Sequence, residues 1–114
     1  MAVLERKYMK TIDIMGTSYR IQEDDSIIKE NADGVCSKYD KVIKIRPTEK
    51  LLSDDDSDYC KQRCYNETCR HELIHAMFFE SGLYCYSDDE ILVDWIASQF
   101  PKMAELFNSM NCAE

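Results

Sequence analysis

Histidine is nearly absent from this chain: two in 114 residues, alongside two prolines, three glycines and one tryptophan. Any site that needs three imidazoles is therefore excluded. No apolar run approaches the roughly 20 residues of a membrane span, so no membrane partner is expected. The stretch Met1 to Lys10 lacks the apolar core of a signal peptide, which predicts a cytoplasmic protein. Basic residues are scarce too, with 14 Lys and Arg against 22 Asp and Glu and a net charge of −8. That balance argues against a nucleic-acid partner, which needs clustered cations, and is compatible with a basic or neutral peptide. Repeats, low-complexity segments and long linkers are missing, so residues 1–114 read as one domain. Residues 1–9 read as a possible flexible extension, because Met9-Lys10 leads straight into a strand pattern and could itself be a start. Cysteine is not scarce: Cys36, Cys60, Cys64, Cys69, Cys85 and Cys112. Without a signal peptide these read as reduced thiols. The spacing of Cys60, Cys64 and Cys69 lacks the C-x-x-C of zinc knuckles, so they read as small apolar side chains.

Thr11-Ile12-Asp13-Ile14-Met15 and Tyr19-Arg20-Ile21-Gln22 alternate around Gly16-Thr17-Ser18, which predicts a β-hairpin over residues 10–23. Glu23 to Asn31 has no period and reads as a loop or short helical turn, ending in the turn signal Asn31-Ala32-Asp33-Gly34. Val35 to Tyr39 reads as a short strand. Lys41 to Arg46 is the cleanest strand pattern, stopped by Pro47. Ser53-Asp54-Asp55-Asp56-Ser57-Asp58 is rich in N-cap residues and first-turn acids, predicting a long helix from about residue 56 to Ser81, closed by Gly82. Gly82 to Ser87 reads as a loop. Ser87-Asp88-Asp89-Glu90 looks like a capping box for a second helix that carries Ile91, Leu92, Trp95, Ile96 and Phe100 at helical spacing. Pro101 should break or kink it before a further helical segment, Lys102 to Met110. The expected fold class is α+β: a small antiparallel sheet of three to four strands packed on a long helix and a second helix.

Both histidines fall in one motif, His71-Glu72-Leu73-Ile74-His75, which fits H-E-x-x-H. On a helix, residues four apart share a face, so His71 and His75 can aim two imidazoles at one ion. Glu72 lies about 100° round from His71, within reach of a water beside that ion rather than of the ion itself. Two imidazoles leave Zn²⁺ needing one further protein ligand and an open position for water. A neighbouring carboxylate that takes the water's proton completes the metalloprotease arrangement. Metzincins need a Gly and a third His farther along, where this chain has Phe78 and Ser81. The third ligand must then be a carboxylate or a thiolate. Glu90 is the leading candidate, brought back beside His75 by a short loop, although as a capping-box residue it would need no metal. Asp94, four residues on, is placed to accept the other ring N–H of a ligating histidine. Glu80 points roughly 180° away from His71. Cys64 lies about 10 Å along the helix, too far to share the ion.

His71-Glu72-Leu73-Ile74-His75 followed by Glu90-Ile91-Leu92-Val93-Asp94 resembles the gluzincin pattern, in which a second helix supplies E-x-x-x-D. The small size and the sheet-then-helices order are similar to minimal gluzincins of the short phage and prophage type, some of which act on repressors. The resemblance spans residues 57–101, and over residues 10–46 it is one of element order alone. It implies a zinc metallopeptidase with a single zincin-like domain: His71, His75 and Glu90 as zinc ligands, Asp94 supporting a ligating histidine and Glu72 as general base. The chain departs from the thermolysin type in having no later His to steady the oxyanion. Tyr84 or Tyr86 could supply a phenol for that role, and an extended peptide could add to the sheet edge, with residues 42–46 as the suggested strand. Peptide deformylases also carry H-E-x-x-H with a Cys ligand, and Asp33-Gly34-Val35-Cys36-Ser37 faintly resembles that segment, so Cys36 is an alternative ligand, as is Cys85. The other reading is a weak or inactive zincin-like module that binds a protein partner such as a phage repressor.

Overall fold

The computed structural model describes residues 9–30, 32–48 and 57–114. It is α+β, with a four-stranded sheet followed by helices. Strand β1 (Met9–Ile14) and strand β2 (Thr17–Glu23) form the expected hairpin. Its two-residue turn, Met15-Gly16, takes φ values of 51° and 90°. Positive φ at both positions is what a type I′ turn needs to match strand twist, and Gly16 supplies the second without a Cβ clash. Within Glu23 to Asn31 the chain forms a 3-10 stretch, Asp25–Glu30, which is the short helical turn of the two expected alternatives. Strand β3 (Gly34–Ser37) and strand β4 (Val42–Ile45) complete the sheet in the order β1-β2-β4-β3.

The sheet is mixed rather than antiparallel: β2 and β4 run parallel, with Ile21 opposite Ile43. The chain crosses through the 3-10 stretch to the far edge, lays down β3, and folds back antiparallel into the gap between β3 and β2. The consequence corrects the expected substrate edge. Residues 42–46 lie in the interior of the sheet, and β3 is the edge. Burial explains why β4 had the cleanest strand pattern, since Val42, Ile43 and Ile45 are all buried.

Helix α1 (Asp58–Glu80) is capped by Ser57, whose hydroxyl accepts from the Cys60 amide. The acidic run before it, residues 53–56, lies outside the described residues, as does Asn31 in the expected turn. At the other end Leu83 N–H reaches Phe78 O and Gly82 N–H reaches Phe79 O, a Schellman closure with Gly82 at φ +80°. Ala76 of α1 joins Ile14, Tyr19, Ile43 and Ile45 in the core, with Tyr65, Cys69 and Leu73 packed against it.

The segment expected as a loop holds a single helical turn, α2 (Tyr84–Ser87), and helix α3 (Glu90–Ser109) follows. Pro101 does not end it: the helix continues from Glu90 to Ser109 with Pro101 inside. The buried face of α3 is Val93 and Ala97; of the expected apolar stripe, Leu92 and Ile96 are half-buried and Ile91, Trp95 and Phe100 are exposed. Arg70 Nε donates to Ala97 O at 2.7 Å and ties α3 to α1. No disulfide joins any of the six cysteines. Among the described residues no helix is long and apolar enough to cross a membrane.

Candidate metal centre

One wall of the site is the middle of α1, and the other is the first turn of α3. The short α2 turn between them folds α3 back, so that Glu90 meets both histidines. His71 Nε2 and His75 Nε2 lie 3.0 Å apart. Glu90 Oε2 is 3.0 Å from the first and Glu90 Oε1 is 3.1 Å from the second. Among the described residues these three are the His, Cys, Asp or Glu side chains that converge closely enough to hold one ion.

The second nitrogen of each ring is also engaged. His71 Nδ1 meets Asp94 Oδ1 at 2.8 Å. His75 Nδ1 meets the backbone carbonyl of Ser87, whose hydroxyl in turn donates to His75 O at 2.8 Å. A carbonyl and a carboxylate only accept, so Nδ1 is the donor of each ring, which leaves Nε2 as the atom that can ligate. Both Nε2 atoms then present lone pairs to each other and to the Glu90 carboxylate. Three acceptors facing one another at about 3 Å repel unless a cation lies between them. Zinc bonds of about 2.0–2.1 Å at tetrahedral angles space neighbouring donors about 3.3 Å apart, so this donor set fits the ion.

The expected capping box does not form. The N-cap of α3 is Asp89, whose side chain accepts from the Leu92 amide. Ser87 instead lies fully buried under His75, and Glu90 occupies the first helical position, free to turn toward the histidines. Sequence reasoning missed Ser87 as the group that orients His75. The Ser-x-x-Glu spacing carried a local meaning that tertiary packing overrode.

Glu72 points to the sheet side of the site and is 6% exposed. Among the described residues no hydrogen-bond donor reaches it. Burial pushes its carboxyl up to about 7; nearby His71 opposes the rise, and Glu90 and Asp94 add to it. Gly34, at the start of the edge strand, makes room for it. A Cβ there would sit 2.7 Å from Thr68 Cγ2 and 2.9 Å from Glu72 Cγ.

A cleft of about 470 Å³ opens over these groups, lined by β3, His71, Glu72, His75 and Glu90, with Lys38 at its edge. Lys38 Nζ is held 2.7 Å from Asp88 Oδ1. Tyr84 does not line this cleft. Its ring rests on Phe79, 5.0 Å between centroids, in an adjoining hollow. Tyr86 packs on Phe78. Cys36 lines the cleft from β3, but burial first, then the charge of Glu72, push its thiol up to about 12, which disfavours the thiolate a metal needs. Cys85 is exposed on α2. Glu80 lies at the far end of α1, bound to Thr17, Tyr19 and Lys41.

Comparison with protein-family models, with curated proteins and with solved structures gives no match to this chain. The chemistry of the site is therefore read from its own atoms.

Proposed function

We propose that this chain is a zinc-dependent peptidase of the minimal gluzincin kind, with His71, His75 and Glu90 as ligands and Glu72 as general base. The observation that carries the reading is the convergence of three lone-pair donors at 3.0–3.1 Å beside a buried carboxylate that no donor reaches among the described residues. Zinc bound there would supply Lewis acidity to a water and to a substrate carbonyl. Glu72 takes a proton from the attacking water and delivers it to the amide nitrogen as the C–N bond breaks, leaving a carboxylic acid and an amine. Its raised proton affinity suits both halves of that transfer near neutral pH. Asp94 and the Ser87 carbonyl hold the two imidazoles in the tautomer that ligation requires. The free edge of β3 borders the cleft, so an extended peptide could pair with it as an added strand. Lys38, which lines the cleft beside Asp88, is a cation that could meet a developing oxyanion.

The position of Tyr84 supports a second reading. With that phenol in a separate hollow, the chain could bind a protein partner, such as a repressor, and turn it over slowly or not at all. Zinc-loaded wild type and Glu72→Gln, each incubated with an unfolded protein substrate, separate the two. The peptidase reading expects one zinc in each and cleavage by wild type alone. Equal cleavage by both, or none by either, overturns it.

A further inference from the structure

Helix α1 carries Glu67, His71, His75 and Phe79 at intervals of four, one stripe that advances about 6 Å per step. Edge strand β3 follows the same stripe. Before its first residue, Asp33 lines a hollow of about 260 Å³ with Glu67 and Asp94. Beyond its last residue, Lys38 and Tyr39 line a hollow of about 470 Å³ with Phe79 and Tyr84. Each adjoins the central cleft: the first has Gly34, His71 and Glu72 in common with it, the second Lys38 and Asp88.

The two hollows have opposite chemistry. The first gathers the carboxylates of Asp33, Glu67 and Asp94, and the buried Glu72, which no hydrogen-bond donor reaches among the described residues, lines it as well. Asp33 also meets Arg46 Nε at 3.4 Å. The second is walled by rings: Tyr39 stands edge-on to Phe79 at 5.5 Å and is 87% exposed, and Tyr84 tilts over the same ring. Such open rings offer a surface for another flat apolar group. Lys38 and Lys41 hold their ammonium groups 5.5 and 5.0 Å from the Phe79 centroid, each paired with a carboxylate, Asp88 and Glu80, so the hollow has its charges matched and its open surface is aromatic. An extended chain advances about 3.3 Å per residue, which puts each hollow within about two residues of a bond held at Glu72.

We propose that the cleft takes an extended polypeptide with an aromatic side chain in the Tyr39–Phe79–Tyr84 hollow and a basic side chain in the Asp33–Glu67–Asp94 hollow, on opposite sides of the bond presented to Glu72. This names the substrate class of the peptidase proposed above and rests on that reading. Zinc-loaded wild type is incubated with a mixed library of synthetic decapeptides, and the products are mapped by mass spectrometry. A labelled Phe/Arg peptide and its Ala/Ala counterpart are also titrated against Glu72→Gln by fluorescence anisotropy. Cleavage should concentrate at bonds with Phe, Tyr or Trp within two residues on one side and Lys or Arg on the other. Tyr39→Ala should lower the Phe-to-Ala rate ratio about tenfold, and Glu67→Lys the Arg-to-Ala ratio about tenfold. Cleavage without these flanking preferences overturns the inference and leaves the peptidase reading standing. If nothing is cleaved, the peptidase reading falls and the titration decides what remains: tighter binding of the Phe/Arg peptide by tenfold or more upholds the two hollows as a peptide-binding groove, and equal binding overturns the inference entirely.

Discussion

Glu72 and Glu80 are carboxylates of one helix, about 12 Å apart along its axis, and the fold treats them in opposite ways. Glu80 has a side chain only 10% exposed and receives three donors: Lys41 Nζ at 2.6 Å, Thr17 Oγ1 at 2.9 Å and the Tyr19 hydroxyl. Lys41 first, then Tyr19, hold its carboxyl below the ordinary range, while burial works against them. Glu72 is buried as well, but no donor reaches it among the described residues, and its carboxyl is pushed up to about 7. Burial with partners makes a fixed charge that fastens α1 to the hairpin and to the turn before β4. Burial without partners makes a group ready to exchange a proton. The first is architecture and the second is poised for chemistry.

The strongest way to break this contrast is to remove the charge at each position. If the proposed peptidase reading holds, Glu72→Gln should lower kcat by about 10²–10⁴-fold while zinc content and folding persist, checked by peptide hydrolysis and elemental analysis. Glu80→Ala should do the reverse. Leaving Lys41 and Tyr19 without their acceptor should cost about 2–4 kcal/mol of stability, read by urea unfolding, with zinc stoichiometry retained.

The pH dependence of the metal-free protein sharpens the contrast. Glu80 is depressed in the folded state, so its contribution is present above about pH 4.5 and is lost as pH falls through its folded value. Glu72 is raised, so between about pH 4.5 and 7 the folded state keeps a proton that the unfolded chain releases. Stability should therefore fall across that window, by on the order of 3 kcal/mol in total. Denaturant melts at pH 5 and pH 8 should show the fall in wild type and not in Glu72→Gln. A smaller effect is expected beside the ligands. Asp94→Asn removes the carboxylate at His71 Nδ1 and should weaken zinc about 10–100-fold, measured by competition with a chelator dye.

The helical part of this arrangement was legible because helix geometry is local. Four-residue spacing alone puts His71 and His75 on one face, and a short connection alone suggests that Glu90 returns to them. The Gly16 turn and the Gly82 closure were legible for the same reason, since each requires positive φ. Less local features were not. Whether β4 enters beside β2 or outside β3 depends on packing across the sheet, so the parallel pair and the true edge could not be read from alternation. Ser87 and Glu90 satisfied a capping rule within four residues, yet Asp89 takes the cap and Ser87 orients His75. Pro101 sits inside α3 because the helix accommodates the missing N–H at an exposed position. Gly34 read only as part of a turn signal; the close approach of Thr68 and Glu72, the latter 38 residues away, could not be seen there.

The most direct measurement is zinc content by elemental analysis on wild type and Glu90→Ala, purified without added metal and then titrated with zinc. The account predicts one tightly held zinc per wild-type chain and a large loss of affinity in Glu90→Ala, because two imidazoles alone leave the ion short of a protein ligand. Wild type that binds no zinc on titration, or Glu90→Ala that binds it as tightly, would contradict it.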